Sequence, residues 1–226
     1  MDRLQVYVVV LDNDGVVVDS FTAIVQKHQR CARQLGLRVP DVEEMRLHTG
    51  KHWAEGFLPA LWPEDHDRIR VALLQPHERS VYPTFPGFVE YLEGLYRAGI
   101  PLAIVSNREA ESLYFHLQEA NVQREWFSII QTADDTPFRK PDPRVFDAVR
   151  EKYPELERSA FVYVGDTLED WHAAHGAGFH FIAVTTGPTT REEFLNVGIA
   201  PQYILSSPSA LPNVLEPIPK NRPHLL

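Results

Sequence analysis

The chain has 226 residues, of which 44% are hydrophobic, and a formal net charge of −9. This length suffices for one large domain or for a core domain with a smaller insertion, and the apolar share is that of an ordinary globular protein. Because 31 acidic residues outnumber 22 basic ones, the composition argues against a nucleic-acid-binding protein, which would present a basic surface.

Cysteine content and hydropathy predict a soluble, cytoplasmic protein. Cys31 is the single cysteine, so no intrachain disulfide can form, which is typical of a reducing compartment. No apolar run is long enough for a membrane span, and the run near the N-terminus is too short for a signal peptide. We therefore expect neither a membrane nor a nucleic acid as partner. The sequence gives no indication of the oligomeric state.

Short β-branched and aromatic runs alternate with helical patterns along most of the chain. The runs predict buried strands in QVYVVVLD, PLAIVS, FSIIQ, AFVYVGD, FHFIAV and, more weakly, QYIL, because continuous apolar runs are typical of strands covered on both faces. Between them, apolar stripes at helical spacing predict helices that contain Phe88, Leu113 and Val145. The alternation predicts an α/β protein with a doubly wound, parallel, Rossmann-like sheet.

One long interval interrupts this alternation. The first strand ends near Asp12 and the second near Ser106, whereas a strand–helix–strand unit takes about 30 residues. The interval carries helical patterns only, including a capping-box pattern in which Asp41 precedes Glu44. We therefore predict three parts, which are a catalytic core of residues 1–16 and 82–215, a small inserted α-helical cap domain of residues 17–81, and a loose C-terminal tail of residues 216–226.

Polar side chains suited to phosphoryl transfer follow four of the predicted strands. Ligands bind at the carboxyl ends of the strands in open α/β sheets, so we expect these side chains to lie close together. They are Asp12 and Asp14 in LDNDGVVVDS, Ser106 and Asn107 after LAIV, Lys140 in RKPDPRVF, and Asp166 and Asp170 in VYVGDTLEDWHAAHGAG.

Structural interpretations compete with a functional one at each of these positions. Ser106 with Glu109, and Thr167 with Asp170, fit helix capping boxes that require no chemistry. Lys140 fits an ordinary solvent-exposed charge, and the aspartates of the first segment fit a plain turn, in which Asp and Gly are common.

The four aspartates together point to a bound cation. Carboxylates that lie close together disfavour each other's ionisation, and a divalent cation with oxygen ligands relieves this repulsion. Magnesium prefers a few carboxylates together with water and a substrate phosphate. Ser106 and Lys140 would then supply hydrogen bonds and positive charge where the phosphoryl oxygens lie, which is the arrangement of a phosphoryl-transfer site.

Four motifs in this order resemble the haloacid dehalogenase superfamily of phosphatases. They are Asp12-x-Asp14-Gly15, Ser106, Lys140-Pro141 and Gly165-Asp166-x-x-x-Asp170. The resemblance runs from about residue 5 to about residue 215, and it is to the branch of phosphoglycolate phosphatase and β-phosphoglucomutase, which has a helical cap after the first strand. Asn13 departs from the family pattern, because this position more often holds a bulky apolar residue.

The resemblance implies an Mg²⁺-dependent phosphatase that acts on a small phosphorylated metabolite through an aspartyl-phosphate. It implies that Asp12 is the nucleophile and that Asp14 is the general acid and base. The implied metal ligands are Asp12, Asp14 through its backbone carbonyl, Asp166, and Asp170 directly or through water. The implied phosphate-binding residues are Ser106, Asn107 and Lys140.

Two other functions stay open at this point. Sugar mutases of the β-phosphoglucomutase type usually carry Glu-Asp in the fourth motif, so Gly165-Asp166 favours a hydrolase over a mutase. A non-catalytic phosphate-binding module is the second alternative. Asp14 argues against a dehalogenase, because members with that activity lack the second aspartate of the first motif.

In the cap, the segment HTGKHWAEGF is the candidate for substrate selection. Gly50 allows a turn there, and we expect Lys51 and His52 to bind substrate, with Trp53 as a stacking surface. Alternatively, these residues belong to the cap surface and Trp53 packs inside the cap.

Overall fold

The computed structural model describes residues 3–49, 51–75 and 81–219. Gly50 of the predicted cap segment, residues 76–80 of the predicted cap and residues 220–226 of the predicted tail therefore lie outside the described residues. Within the described ranges, no helix combines the length and the apolar character that crossing a bilayer requires.

Two parallel sheets are formed by the described strands. The strands are β1 Leu4–Val6, β2 Val8–Leu11, β3 Leu102–Val105, β4 Phe127–Gln131, β5 Phe161–Gly165, β6 His180–Val184, β7 Ile204–Leu205 and β8 Leu215–Pro217. The central sheet has the order β4-β3-β2-β5-β6-β7, and β1 pairs with β8 in a small second sheet. All these pairs are parallel, so the carboxyl ends of the central strands meet at one edge.

Alternate side chains of the central strands enter two different cores. Val9 and Leu11 of β2 belong to one cluster with α5 and α6, which are Phe88–Arg97 and Ala110–Glu119. Val8 and Val10 belong to the other, with α7 and α8, which are Asp147–Lys152 and Leu168–Ala177. Helices thus cover both faces of the sheet, which confirms the predicted doubly wound α/β core and explains why its strands are continuously apolar.

The remaining core elements are short. They are α9 Arg191–Asn196 and the 3₁₀ segments Arg124–Trp126, Pro143–Phe146, Arg158–Ala160, Pro201–Tyr203 and Pro208–Asn213.

The capping box suggested for Ser106 and Glu109 is wrong. Helix α6 begins at Ala110, and its N-cap residue Glu109 makes no capping bond with its side chain. Ser106 Oγ instead accepts a hydrogen bond from the backbone N–H of Arg108 at 3.2 Å. The Asp134 carboxylate accepts from the first backbone N–H of the helix, at 2.8 Å, so a group 24 residues away replaces the local cap.

Helices make up the inserted segment. They are α1 Phe21–Gln34, α2 Val42–Arg46, a π-helical turn Trp53–Phe57 that continues into α3 Leu58–Leu61, and α4 His66–Leu73. Met45, Leu58, Leu61 and Ile69 are fully buried in a hydrophobic cluster that is separate from the clusters of the sheet. This separate core supports the proposal that the insertion is a cap domain.

The two ends of the core pair with each other. The predicted strand QVYVVVLD is divided at Tyr7 into β1 and β2. Strand β1 pairs with Leu215–Pro217, and the buried Leu215 side chain joins the main core. Residues 216 and 217 therefore belong to the folded core rather than to the predicted tail, because they pair with β1 and follow the buried Leu215.

Candidate active site

The predicted motifs lie at one edge of the central sheet and line one cavity. Asp12 follows β2, Ser106 follows the neighbouring β3, and Asp166 follows β5 on the other side of β2. Lys140 reaches the same place from the loop after β4. These residues line a cavity of about 210 Å³ between the sheet edge and the cap, at the position where the chain reverses its order around β2.

Three of the four predicted aspartates form a buried cluster. Asp12, Asp166 and Asp170 each place a carboxylate oxygen within 4.8 Å of the others. Their exposed fractions are 6%, 4% and 0%. The carboxylate of Asp14 does not belong to this cluster, because it pairs with Arg108.

Lys140 is buried in this cluster and is not the solvent-exposed charge of the alternative interpretation. Its Nζ lies 2.9 Å from Asp12 Oδ1 and 2.6 Å from Asp170 Oδ1, and it donates to the Tyr163 hydroxyl at 3.0 Å. Burial acts to lower the pKa of Lys140, but the two carboxylates outweigh it and hold the pKa above 10.5. The lysine is therefore protonated.

The charges of the cluster fit a divalent metal ion. Three carboxylates and one ammonium leave two negative charges when all are ionised. Burial raises the pKa of Asp12 to about 7 against the opposing effect of Lys140. Burial and the neighbouring carboxylates also raise the pKa of Asp166, which has no salt bridge among the described residues. Asp12 Oδ1 also accepts no hydrogen bond of good geometry from the described residues. Oxygen donors with excess negative charge are the environment of a hard cation.

Asp170 has a structural role in addition to its place in the cluster. With Thr167 it forms the predicted capping box of α8. Its Oδ2 accepts from the backbone N–H groups of Asp166 and Thr167 and from the Thr167 hydroxyl, and its Oδ1 pairs with Lys140. Because both oxygens are occupied, this geometry favours water-mediated over direct contact with a metal.

Two glycines pack closely against the Asp166 carboxylate. A Cβ built at Gly15 would lie 2.2 Å from Asp166 Oδ2, and one built at Gly187 would lie 1.6 Å from it. Thr186 Oγ1 donates to the Gly15 carbonyl at 2.5 Å, which joins these two loops. Sequence reasoning missed Thr186 and Gly187, although they lie two and three residues after the predicted strand FHFIAV at the ligand-binding edge.

Arg108 is the third residue that sequence reasoning missed. Its Nε donates to Asp14 Oδ2 at 2.7 Å and its Nη2 to Asp14 Oδ1 at 2.6 Å. Its Nη1 donates to Ser112 Oγ at 2.7 Å. Burial acts to raise the pKa of Asp14, but the Arg108 guanidinium outweighs it and lowers the pKa below 3.8. The only signal in the sequence is its position two residues after Ser106.

Asn107 contacts the backbone of Lys140 with its side chain. Its Oδ1 accepts from the backbone N–H of Lys140 at 2.9 Å, and its Nδ2 donates to the carbonyl of the same residue at 3.2 Å. Asn107 was predicted to bind substrate. These two contacts hold the Lys140 loop, and because Asn107 also lines the cavity, substrate binding by this residue stays a prediction.

The predicted cap residues line the same cavity as the aspartates. Lys51, His52 and Trp53 all line the cavity. Lys51 Nζ lies 2.9 Å from His48 Nδ1. Trp53 Nε1 donates to the buried His28 at 3.1 Å, so Trp53 both packs inside the cap and faces the cavity.

Comparison with known proteins identifies the family. Residues 9–184 match the family model described as haloacid dehalogenase-like hydrolase, and the chain belongs to this family. It is 28% identical to the phosphoglycolate phosphatase of Nitrosospira multiformis over 195 residues, which cover 81% of this chain and 85% of the relative. The family and such relatives make the chain a phosphatase, which confirms the enzyme class that the motifs imply.

Solved structures share the fold. A predicted phosphoglycolate phosphatase from Haemophilus somnus superposes with a TM-score of 0.79 and 20% identity, covering 92% of this chain and 97% of the other. A candidate β-phosphoglucomutase from Thermotoga maritima gives a TM-score of 0.71 at 20% identity, covering 92% and 97%. At these identities the similarity concerns the fold alone.

Proposed function

We propose that this phosphatase is Mg²⁺-dependent and hydrolyses a small phosphorylated metabolite through an aspartyl-phosphate on Asp12. The observation that carries the proposal is the buried cluster of Asp12, Asp166 and Asp170 around Lys140, open to a cavity under the cap. This cluster provides a carboxylate nucleophile, oxygen ligands for a cation and a fixed positive charge within one small volume.

The reaction has two displacements. The Asp12 carboxylate attacks phosphorus and the bond to the ester oxygen breaks. Asp14, which takes up a proton when the bound substrate displaces its pairing with Arg108, passes that proton to the leaving oxygen. Water then attacks the phosphorus of the aspartyl-phosphate, Asp14 accepts its proton, and phosphate leaves with Asp12 regenerated. Ser106 and Lys140 line the cavity, where they would hold the phosphoryl oxygens.

The metal would be held by the Asp12 and Asp166 carboxylates and the Asp14 backbone carbonyl, with Asp170 acting through water. When bound, Mg²⁺ supplies charge neutralisation at the phosphoryl oxygens. The close packing of Gly15 and Gly187 against Asp166 supports this assignment, because it holds that carboxylate in one orientation.

Crowding at Gly165 supports a hydrolase over a mutase. The mutases of the resemblance carry glutamate at this position. In this chain a Cβ at Gly165 would lie 2.5 Å from the Cβ of Asp170, so a larger side chain requires Asp170 to move. The product separates the two functions, since a mutase yields an isomeric phosphate ester and a hydrolase yields inorganic phosphate.

The test is phosphate release from a panel of phosphorylated metabolites in the presence of Mg²⁺, with 2-phosphoglycolate included because of the relatives' activity. We expect turnover that disappears with a chelator and returns with Mg²⁺, and inhibition by Ca²⁺, which adopts a larger and looser coordination shell. Asp12→Asn should fold normally and retain less than about a hundredth of the activity. Undiminished turnover after exhaustive chelation, or more than about a hundredth of the wild-type turnover in Asp12→Asn, would show that the mechanism is wrong. The cytoplasmic location stays a prediction.

A further inference from the structure

We infer that Arg108 determines substrate specificity by binding a second anionic group, a carboxylate or a phosphate, that the leaving group carries close to the ester oxygen. The inference rests on the proposed function, because it takes Asp14 as the residue that the leaving oxygen approaches. It names a substrate class: short phosphomonoesters with a second negative charge.

Geometry places Arg108 next to the leaving group. The leaving oxygen must reach the Asp14 carboxylate, and Arg108 nitrogens lie 2.6 and 2.7 Å from the two oxygens of that carboxylate. Arg108 and Asp14 both line the cavity under the cap. Atoms one or two bonds beyond the ester oxygen therefore lie beside the guanidinium, within reach of a short carboxylate.

Charge balance favours an anionic group there. Both oxygens of Asp14 are occupied by Arg108, so a leaving oxygen that contacts Asp14 displaces part of this pairing. The Arg108 side chain is only 19% exposed, and a largely buried cation that loses a partner is costly. An anionic group on the substrate replaces the lost partner charge for charge. With a neutral leaving group, the guanidinium has no replacement for the negative charge that it loses.

The surrounding charges agree with this assignment. Apart from the cluster and Lys140, the charged residues that line the cavity are the cations Lys27, Lys51 and Arg108 and the acids Asp14 and Glu109. Among these residues the three cations outnumber the two acids. These cations attract a second anionic group on the substrate, and Arg108 is the one that lies beside Asp14.

The test compares matched substrates that differ in the second group. The three are 2-phosphoglycolate, the bisphosphate of ethane-1,2-diol, and 2-hydroxyethyl phosphate, which has the same length and a neutral end. We expect the wild-type kcat/KM for at least one anionic substrate to exceed that for the neutral one by at least about tenfold. The preferred anionic substrate distinguishes a carboxylate from a phosphate as the recognised group.

Substitution then assigns the preference to Arg108. Arg108→Gln should reduce the anionic-to-neutral ratio by at least about tenfold, and Arg108→Lys should restore part of it. Arg97→Gln is the matched control, because Arg97 is exposed, pairs with Glu93 and does not line the cavity. It should leave the ratio unchanged.

Two results would overturn the inference. Equal losses on all three substrates in Arg108→Gln would mean that Arg108 only positions Asp14, and a wild-type enzyme without preference would mean that no second anion is recognised. If Arg108→Gln does not fold, two measurements on the wild-type enzyme decide whether a second anion is recognised. They are the ratio of kcat/KM for anionic and neutral substrates, and competitive inhibition by glycolate compared with ethane-1,2-diol. If the inference about Arg108 fails but the enzyme still hydrolyses 2-hydroxyethyl phosphate or an aryl phosphate, the proposed phosphatase function stands. If no ester releases phosphate, the proposed function itself is rejected.

Discussion

A contact between the cap and the core should contribute measurably to catalysis. Arg46 of α2 places its Nη1 2.9 Å from both carboxylate oxygens of Glu193 and 3.1 Å from the Pro188 carbonyl. These are long-range contacts, 147 and 142 positions apart in the chain. Replacing Arg46 by Gln removes the charge and shortens the side chain. The cap therefore loses its contacts with Glu193 and the Pro188 carbonyl, which help to hold it over the cavity.

The size of the effect follows from the burial of the pair. The side chains of Arg46 and Glu193 are 20% and 33% exposed, so the pair is stronger than a surface ion pair but partly screened by solvent. We take about 1 kcal/mol for it, which is about fivefold in the ratio of closed to open cap. Arg46→Gln should therefore lower kcat/KM for the best substrate about fivefold at low salt, with a smaller loss at high salt.

A double-mutant cycle with Glu193→Gln measures the pair itself. Gln at position 193 retains the capping-box geometry with Thr190 and removes only the charge. The two single variants and the double variant should show a coupling energy of about 1 kcal/mol. Arg70→Gln is the control, since Arg70 pairs with Asp67 inside the cap. Unchanged kcat/KM in Arg46→Gln at low salt would refute the reasoning.

Three further predictions concern the metal site, the cap and the response to acid. Gly187→Ala should raise the Mg²⁺ concentration for half-maximal activity at least about tenfold, because its Cβ would collide with Asp166 Oδ2; an unchanged Mg²⁺ titration would contradict this. Lys51→Ala and His52→Ala should lower kcat/KM for the best natural substrate and hardly affect acetyl phosphate, which leaves the cap unfilled; equal losses on both would place selectivity elsewhere. Burial lowers the pKa of His28 to about 4 from 6.5, so its stabilising contribution is present above pH 6.5 and is lost as the pH falls towards 4, by about 1.4 kcal/mol per pH unit. Melting temperatures at pH 7 and pH 5 should differ less in His28→Gln than in the wild type, and an equal difference would refute this.

The strands of the central sheet can be predicted from the sequence, because burial on both faces gives each of them a continuous apolar run. Strand β3 is found at LAIV within the predicted run PLAIVS, and all four of its residues are buried. A strand covered on both faces has an apolar run that is visible without tertiary information. The same reasoning places the ends of β2, β3 and β5, and therefore Asp12, Ser106 and Asp166, at one edge of the sheet.

Side-chain contacts between residues that are far apart in the chain cannot be predicted from such local patterns. Arg108 and Asp14 are 94 positions apart, and nothing in either local sequence selects the other as partner. Local rules also fail when a distant group competes. The capping-box pattern from Thr167 to Asp170 forms, whereas the equivalent pattern from Ser106 does not, because Asp134 caps α6 instead.

Three consecutive residues after β6 connect the cap contact to the proposed metal site. Thr186 donates to the Gly15 carbonyl, Gly187 lies against the Asp166 carboxylate, and the Pro188 carbonyl accepts from Arg46 of the cap. A change in the cap contact therefore reaches Asp166 through a single short loop. Arg46→Gln should accordingly raise the Mg²⁺ concentration for half-maximal activity, though by less than Gly187→Ala does, because it loosens the loop without placing an atom against the carboxylate. A Mg²⁺ titration of both variants that showed no change in Arg46→Gln would separate cap closure from the metal site.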